Sequence, residues 1–267
     1  MRLLRLVLIL FLLYLPILGI FSTIFGQRGA AVGLFFFVPL IIFVFTLGDR
    51  VLMNIVNGRK LPYSGNQKIY YILGKLAFSM DMREPKIVIY KRGRPTAHSI
   101  KTWVYRNGII LIHADLINRL TLPEIQSVLS FEMLRLKSHF SLSLLIYNYF
   151  SIITKRAMLP IKKALNTNRL SWIILFTGFV TTPFWEIIKI LAFNPKSTLS
   201  LDKQTASFLG DSSQLKSSLS KIYSLEGNSN IWEDYTFYGS IIEKSRSGQL
   251  VELFESRKVF ERRIANL

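Results

Sequence analysis

The chain contains no cysteine. That excludes disulfides and any thiolate-bound metal, and leaves the redox compartment open. Histidine is nearly as scarce: His98, His113 and His139 are the only three. They lie too far apart to place two imidazoles on adjacent turns of one helix, the arrangement that grips a metal, so they do not compose a site of their own. Acids are few as well, with 16 Asp and Glu against 34 Lys and Arg, for a net charge of +18. No helix-turn-helix, RNA-recognition or zinc-finger pattern accompanies this basic excess, which argues against a nucleic-acid partner.

Charge is absent from two long runs, Leu6 to Phe25 and Gly29 to Gly48, each of twenty residues. Either is long enough to cross a hydrocarbon core of about 30 Å as a helix. Pro16 and Pro39 fall mid-run, where membrane helices tolerate proline. Arg2 and Arg5 resemble the start of a signal peptide, but the apolar run is too long and no small-x-small site closes it. Residues 1–54 therefore read as an N-terminal transmembrane hairpin, in a chain whose mean hydropathy is +0.33. Residues 49–140 carry 15 Lys and Arg against 6 Asp and Glu, whereas residues 195–267 carry 10 against 9. Basic excess beside membrane spans is characteristic of a cytoplasmic face. The expectation is a multi-pass cell-membrane protein with its soluble part in the cytoplasm and the lipid bilayer as a partner.

Residues 55–140 open with a polar linker, then show helical spacing at Ile69, Ile72, Leu73 and Leu76. Two segments rich in β-branched and aromatic residues follow, with turns at Arg92-Gly93-Arg94 and Asn107-Gly108. They predict a small antiparallel sheet. Pro123 and Glu124 begin a helix that Thr121 caps. Residues 141–194 hold two further apolar segments, 142–154 and 171–185, both short for independent spans. They read as two more transmembrane helices or as buried core helices. If both span, the basic stretch between them lies opposite the soluble part, against the positive-inside rule. Residues 195–267 read as helices interrupted at Leu225-Glu226-Gly227.

The helix from Glu124 carries Phe131, Glu132, Met133, Leu134 and Arg135. A zinc peptidase of the His-Glu-x-x-His class has histidines at the first and fifth of these positions and a general base at the second. Only the base is present. The surrounding chain, nearly from end to end, resembles the HtpX-type family of membrane metallopeptidases. The family's substrate-strand motif, Pro-Asn-Ala-Phe, is similar to Pro95, Thr96, Ala97 and His98. Its motif helix is matched by Glu124, Ile125, Val128 and Glu132. Its third-ligand segment aligns Thr198 with the metal-binding glutamate and Asp202 with the following aspartate. Near the C-terminus Arg257 and Lys258 stand where the family has His-Pro, and Arg263 is retained.

The resemblance implies a zinc metalloendopeptidase, but the residues depart from it at the chemistry. Phe131 has no lone pair, Arg135 is permanently cationic, and Thr198 is a poor replacement for a carboxylate. The metal that the family would hold is expected to be absent. Glu132 and Arg135 lie three apart on one helical face, so the guanidinium is expected to pair with the former base.

The fold expected is α+β: transmembrane helices plus a mainly helical, metallopeptidase-like part with a small sheet. The function expected is a pseudopeptidase that binds membrane-protein or unfolded peptide segments, or regulates an active relative, with Pro95, Ala97 and His98 in the groove. Two rivals remain at this point. One is a working membrane metalloendopeptidase with an atypical site. The other is a lipid-surface-binding protein using residues 83–106, which hold seven basic residues against one acid.

Overall fold

A computed structural model describes residues 2–55, 57–91, 95–101, 107–138, 195–225 and 260–267. The segments 142–154 and 171–185, the turn at Arg92-Gly93-Arg94, His139, Arg257 and Lys258 lie outside the described residues. Two compact units divide the chain. Residues 2–48 belong to one, and the described residues from 49 onward belong to the other.

The N-terminal unit is a helical hairpin. Helix α1 (Arg2–Phe25) ends in a short turn, Gly26–Arg28, and α2 (Gly29–Ile55) follows with Pro39 inside it. Tyr14 donates to the Ala30 carbonyl at 2.6 Å, and the Phe21 ring stacks on Phe36 at 5.5 Å. Gly29 permits the close approach, because a Cβ there would lie 2.3 Å from the Phe21 carbonyl oxygen. The helical stretch Phe21–Val44, which takes in the turn, is long and apolar enough to cross a membrane by length and composition.

The second unit is mostly helical around a small four-stranded sheet. Its strands are β1 (Arg59–Lys60), β2 (Lys86–Tyr90), β3 (Ala97–Ile100) and β4 (Ile109–His113), in the order β1-β2-β4-β3. The expected antiparallel sheet is corrected here to a mixed one, since β2 runs parallel to β4. The physical reason lies in β4. Its five residues are all buried, and a continuous apolar run takes the centre of a sheet, where both faces are covered. Strands β2 and β3 therefore do not form a hairpin with each other. The Asn107-Gly108 turn does lead into an antiparallel pair, Ile100 opposite Ile109. Gly108 has φ +78°, and a Cβ there would meet Leu136 Cδ2 at 2.7 Å.

Helix α3 (Gln67–Ser79) buries Ile69, Leu73 and Leu76, three of the four apolar positions read from the sequence; Ile72 is half-buried, and Ala77 joins the buried side. After β4 come a short α4 (Ala114–Arg119) and the long α5 (Leu122–Lys137). The start of α5 is fixed as the sequence predicts: the Thr121 N–H donates to Glu124 Oε2 at 2.8 Å. Helices α6 (Pro195–Leu209) and α7 (Ser213–Leu225) pack against α5, as do α3 and β3. Residues 260–266 are helical, and Phe260 stacks on Tyr223 of α7 at 4.2 Å. So α5 is the central helix, buried on nearly every side. A helix covered all round has nowhere to put a charge in water, which makes its Glu132 and Arg135 the natural place to look for chemistry.

Candidate functional site

Glu132 is 0% exposed and Arg135 3%. Three residues of α-helix bring their side chains onto one face, and Arg135 Nη2 lies 2.6 Å from Glu132 Oε2. The expected pair is therefore formed. That separation is one of direct ion contact. Arg135 reaches further, to β3, where its Nε donates to Ser99 Oγ at 3.0 Å and its Nη2 lies 3.0 Å from His98 Nδ1. A guanidinium has only donors, so that contact assigns His98 a neutral ring with an acceptor Nδ1.

Burial pushes the Glu132 carboxyl above its ordinary value, and Arg135, Ser99 and Arg263 pull it back only in part. Burial likewise lowers Arg135, opposed by Glu132 and reinforced by Arg263. Arginine nevertheless stays protonated in proteins, so the carboxyl always faces a full cation.

A second pair closes the site. Arg263, from the C-terminal segment, grips Asp202 of α6 with Nε on Oδ2 at 2.7 Å and Nη2 on Oδ1 at 2.6 Å. Both side chains are buried. The Phe131 ring lies close to both cations, with the Arg263 guanidinium carbon 5.3 Å and the Arg135 carbon 6.0 Å from its centroid. Both distances are within cation–π reach. Thr198 is buried one turn before Asp202 on the inward face of α6.

The structure thus gathers Phe131, Glu132, Arg135, Asp202, Arg263 and His98. Pro95 and Ala97 are also buried. The groove expected at Pro95, Ala97 and His98 falls on side chains that solvent does not reach in this conformation. Sequence reasoning missed Ser99, although it stands directly beside His98. It also missed that Asp202 and Arg263 are partners.

Another cluster anchors the opposite end of α5. Glu124 Oε1 accepts from Ser217 Oγ at 2.5 Å, and Lys221 Nζ lies 2.8 Å from the same oxygen. Burial alone would raise the Glu124 pKa. The contacts with Lys221, Ser217 and Thr121 outweigh it and hold the group at about 2.

The zinc that the resemblance implies does not fit these residues. Phe131 offers no donor, the Arg135 cation occupies the surroundings of the only carboxylate on the motif, and Glu132 is already engaged by it. Among the described residues no three His, Asp or Glu side chains are grouped to hold a metal ion.

No protein-family model matches the chain, and no solved structure matches it.

Proposed function

We propose that the protein is a multi-pass membrane pseudopeptidase of the HtpX type, which binds membrane-protein or unfolded peptide segments without cutting them. The observation that carries the proposal is the Arg135–Glu132 contact of 2.6 Å between two fully buried side chains. In a working metallopeptidase the base at this position must reach a metal-bound water. Here a guanidinium takes that role's electrostatic place, and Phe131 fills the space of an imidazole. Membrane integration is supported by the hairpin, which turns Phe11, Phe35, Phe36 and Ile42 outward at more than half exposure. Large apolar patches of that kind mark lipid or protein contacts.

A buried carboxyl with a raised pKa is also a mark of a general acid or base. Glu132 has no exposed surface through which a substrate could meet it, and that favours the structural role.

Elemental analysis of the purified protein tests the proposal, together with casein digestion. The expected result is no stoichiometric zinc and no cleavage. One zinc per chain that survives a mild chelator would overturn it. The complementary variant, Phe131→His with Arg135→His and Thr198→Glu, is expected to gain a zinc per chain. A folded triple variant that stays metal-free would refute the alignment on which the family reading rests.

The proposal places the N-terminus and residues 49–140 on the cytoplasmic side. With no native cysteine, a cysteine at the exposed Ser64 reports the side directly. Labelling by an impermeant thiol reagent in intact cells would contradict the cytoplasmic assignment.

A further inference from the structure

The outward side of α3 is unlike an ordinary solvated helix face. Ile69, Leu73, Leu76 and Ala77 point into the core. At 100° per residue, the positions directly opposite are Tyr71 and Phe78. They are 75% and 90% exposed, and Phe78 is the most exposed large hydrophobic side chain described. Lys68 and Lys75 flank them, both exposed. The segment before α3 continues the pattern, with Arg59 and Lys60 of β1 exposed and a Tyr63 that is 64% exposed.

Two further facts say what covers this face. Between Asp49 and Asp81 the sequence contains no acid. Glu84, whose Oε1 would lie 3.0 Å from a Cβ at Gly74, borders the face at its edge. The face is also tied to the apolar N-terminal helices. Only residues 56–66 separate the end of α2 from the start of α3, a tether of at most about 40 Å when extended. Aromatic rings with lysines on a helix that itself carries no acid, on a short tether from an apolar helix pair, match the headgroup region of an anionic leaflet. Rings settle at the level of the headgroups, and each ammonium reaches a lipid phosphate while its methylenes stay on apolar ground.

We propose that the α3 face carrying Lys68, Tyr71, Lys75 and Phe78 docks on the surface of an anionic membrane. The proposal rests on the reading of the N-terminal helices as membrane-integrated. It concerns a surface distinct from residues 83–106.

The absence of cysteine makes the test direct. Single cysteines replace Tyr71 or Phe78, one at a time, in the full-length protein. Each is spin-labelled and reconstituted into nanodiscs of phosphatidylcholine alone or with phosphatidylglycerol. A label at Ser220, exposed on α7, serves as the aqueous reference. In anionic discs both face labels are expected to gain collisions with oxygen and lose collisions with a water-soluble nickel chelate. Adding Lys68→Glu and Lys75→Glu is expected to return them to the Ser220 values.

Face labels as accessible to nickel as Ser220, in protein retained by the discs, would overturn this proposal alone. So would equal values in both lipid compositions, or spin–spin broadening that marks a second copy on the face. Protein that leaves the discs altogether would overturn the membrane-integrated reading, and this proposal with it.

Discussion

Replacing Arg135 with Met keeps most of the side-chain volume and removes the guanidinium 2.6 Å from Glu132 Oε2. The carboxyl left behind has no exposed surface. Breaking a buried pair by removing one partner costs about 3–5 kcal/mol. Loss of the donors to Ser99 and His98 adds about 1 kcal/mol each. Protonation of Glu132 limits the charge part of the penalty. Without Arg135 the folded pKa of Glu132 rises further above the unfolded value of about 4.3. A raised carboxyl pKa means that the folded state binds the proton more tightly, so the variant is most stable below about pH 4 and loses stability as pH rises through the raised pKa. Thermal unfolding in one detergent, near pH 4 and near pH 7.5, is the assay. Before protonation of Glu132 offsets part of it, the penalty sums to about 5–7 kcal/mol, so at neutral pH the fall in Tm is expected to reach at most about 10–28 °C, at about 2–4 °C per kcal/mol. Adding Glu132→Gln should recover much of it and flatten the pH dependence. Additive effects of the two single changes would refute the reasoning and leave Arg135 uncoupled from Glu132.

Asp202→Asn should cost about 3–5 kcal/mol by leaving Arg263 buried without its counter-charge, read by denaturant unfolding; an unchanged midpoint would show the pair to be energetically idle. Glu124→Gln should destabilise by about 1–3 kcal/mol at neutral pH. Because the folded pKa of Glu124 is depressed to about 2, its contribution is present above the unfolded pKa and is lost as pH falls toward 2; a wild-type advantage that persists at about pH 2 would contradict that origin. Gly108→Ala should cost about 1–3 kcal/mol, through a φ of +78° and the crowding of Leu136. Calorimetry with no shift in Tm would show that the turn relaxes freely.

The parts of this fold that were legible in the sequence are the local ones. Thr121 and Glu124 signal the start of α5 because a capping box is a three-residue device. Glu132 and Arg135 are readable as a pair because the helix itself sets their separation. Sheet order is not local. The Asn107-Gly108 turn announces a reversal, yet nothing in a turn says that β4 will slot between β2 and β3. The usable signal was the unbroken apolar run Ile109 to Ile112, which asks for cover on both faces. Partners remote in sequence were hidden for the same reason: Asp202 meets Arg263, and Glu124 meets Lys221, only once α6, α7 and the C-terminal segment are stacked on α5.

These pairs also decide what the net charge of +18 means. Among the described residues, the buried acids are Glu124, Glu132 and Asp202. Each has a basic side chain within 2.8 Å: Lys221, Arg135 and Arg263. Among the described residues these buried charges are thus close to balanced, and most of the other described cations stand exposed, where they act on partners and add little to the fold. Buried ion pairs are poor net stabilisers against apolar packing. Their contribution here is positional, fixing α5 to β3 and α7 and joining α6 to the C-terminal segment. Charge reversal at an exposed lysine such as Lys75 should therefore leave Tm nearly unchanged while altering lipid contact. A change at Arg135 should do the opposite. A Lys75→Glu variant that unfolds as readily as Arg135→Met would break this separation between a charge-paired interior and a charged surface.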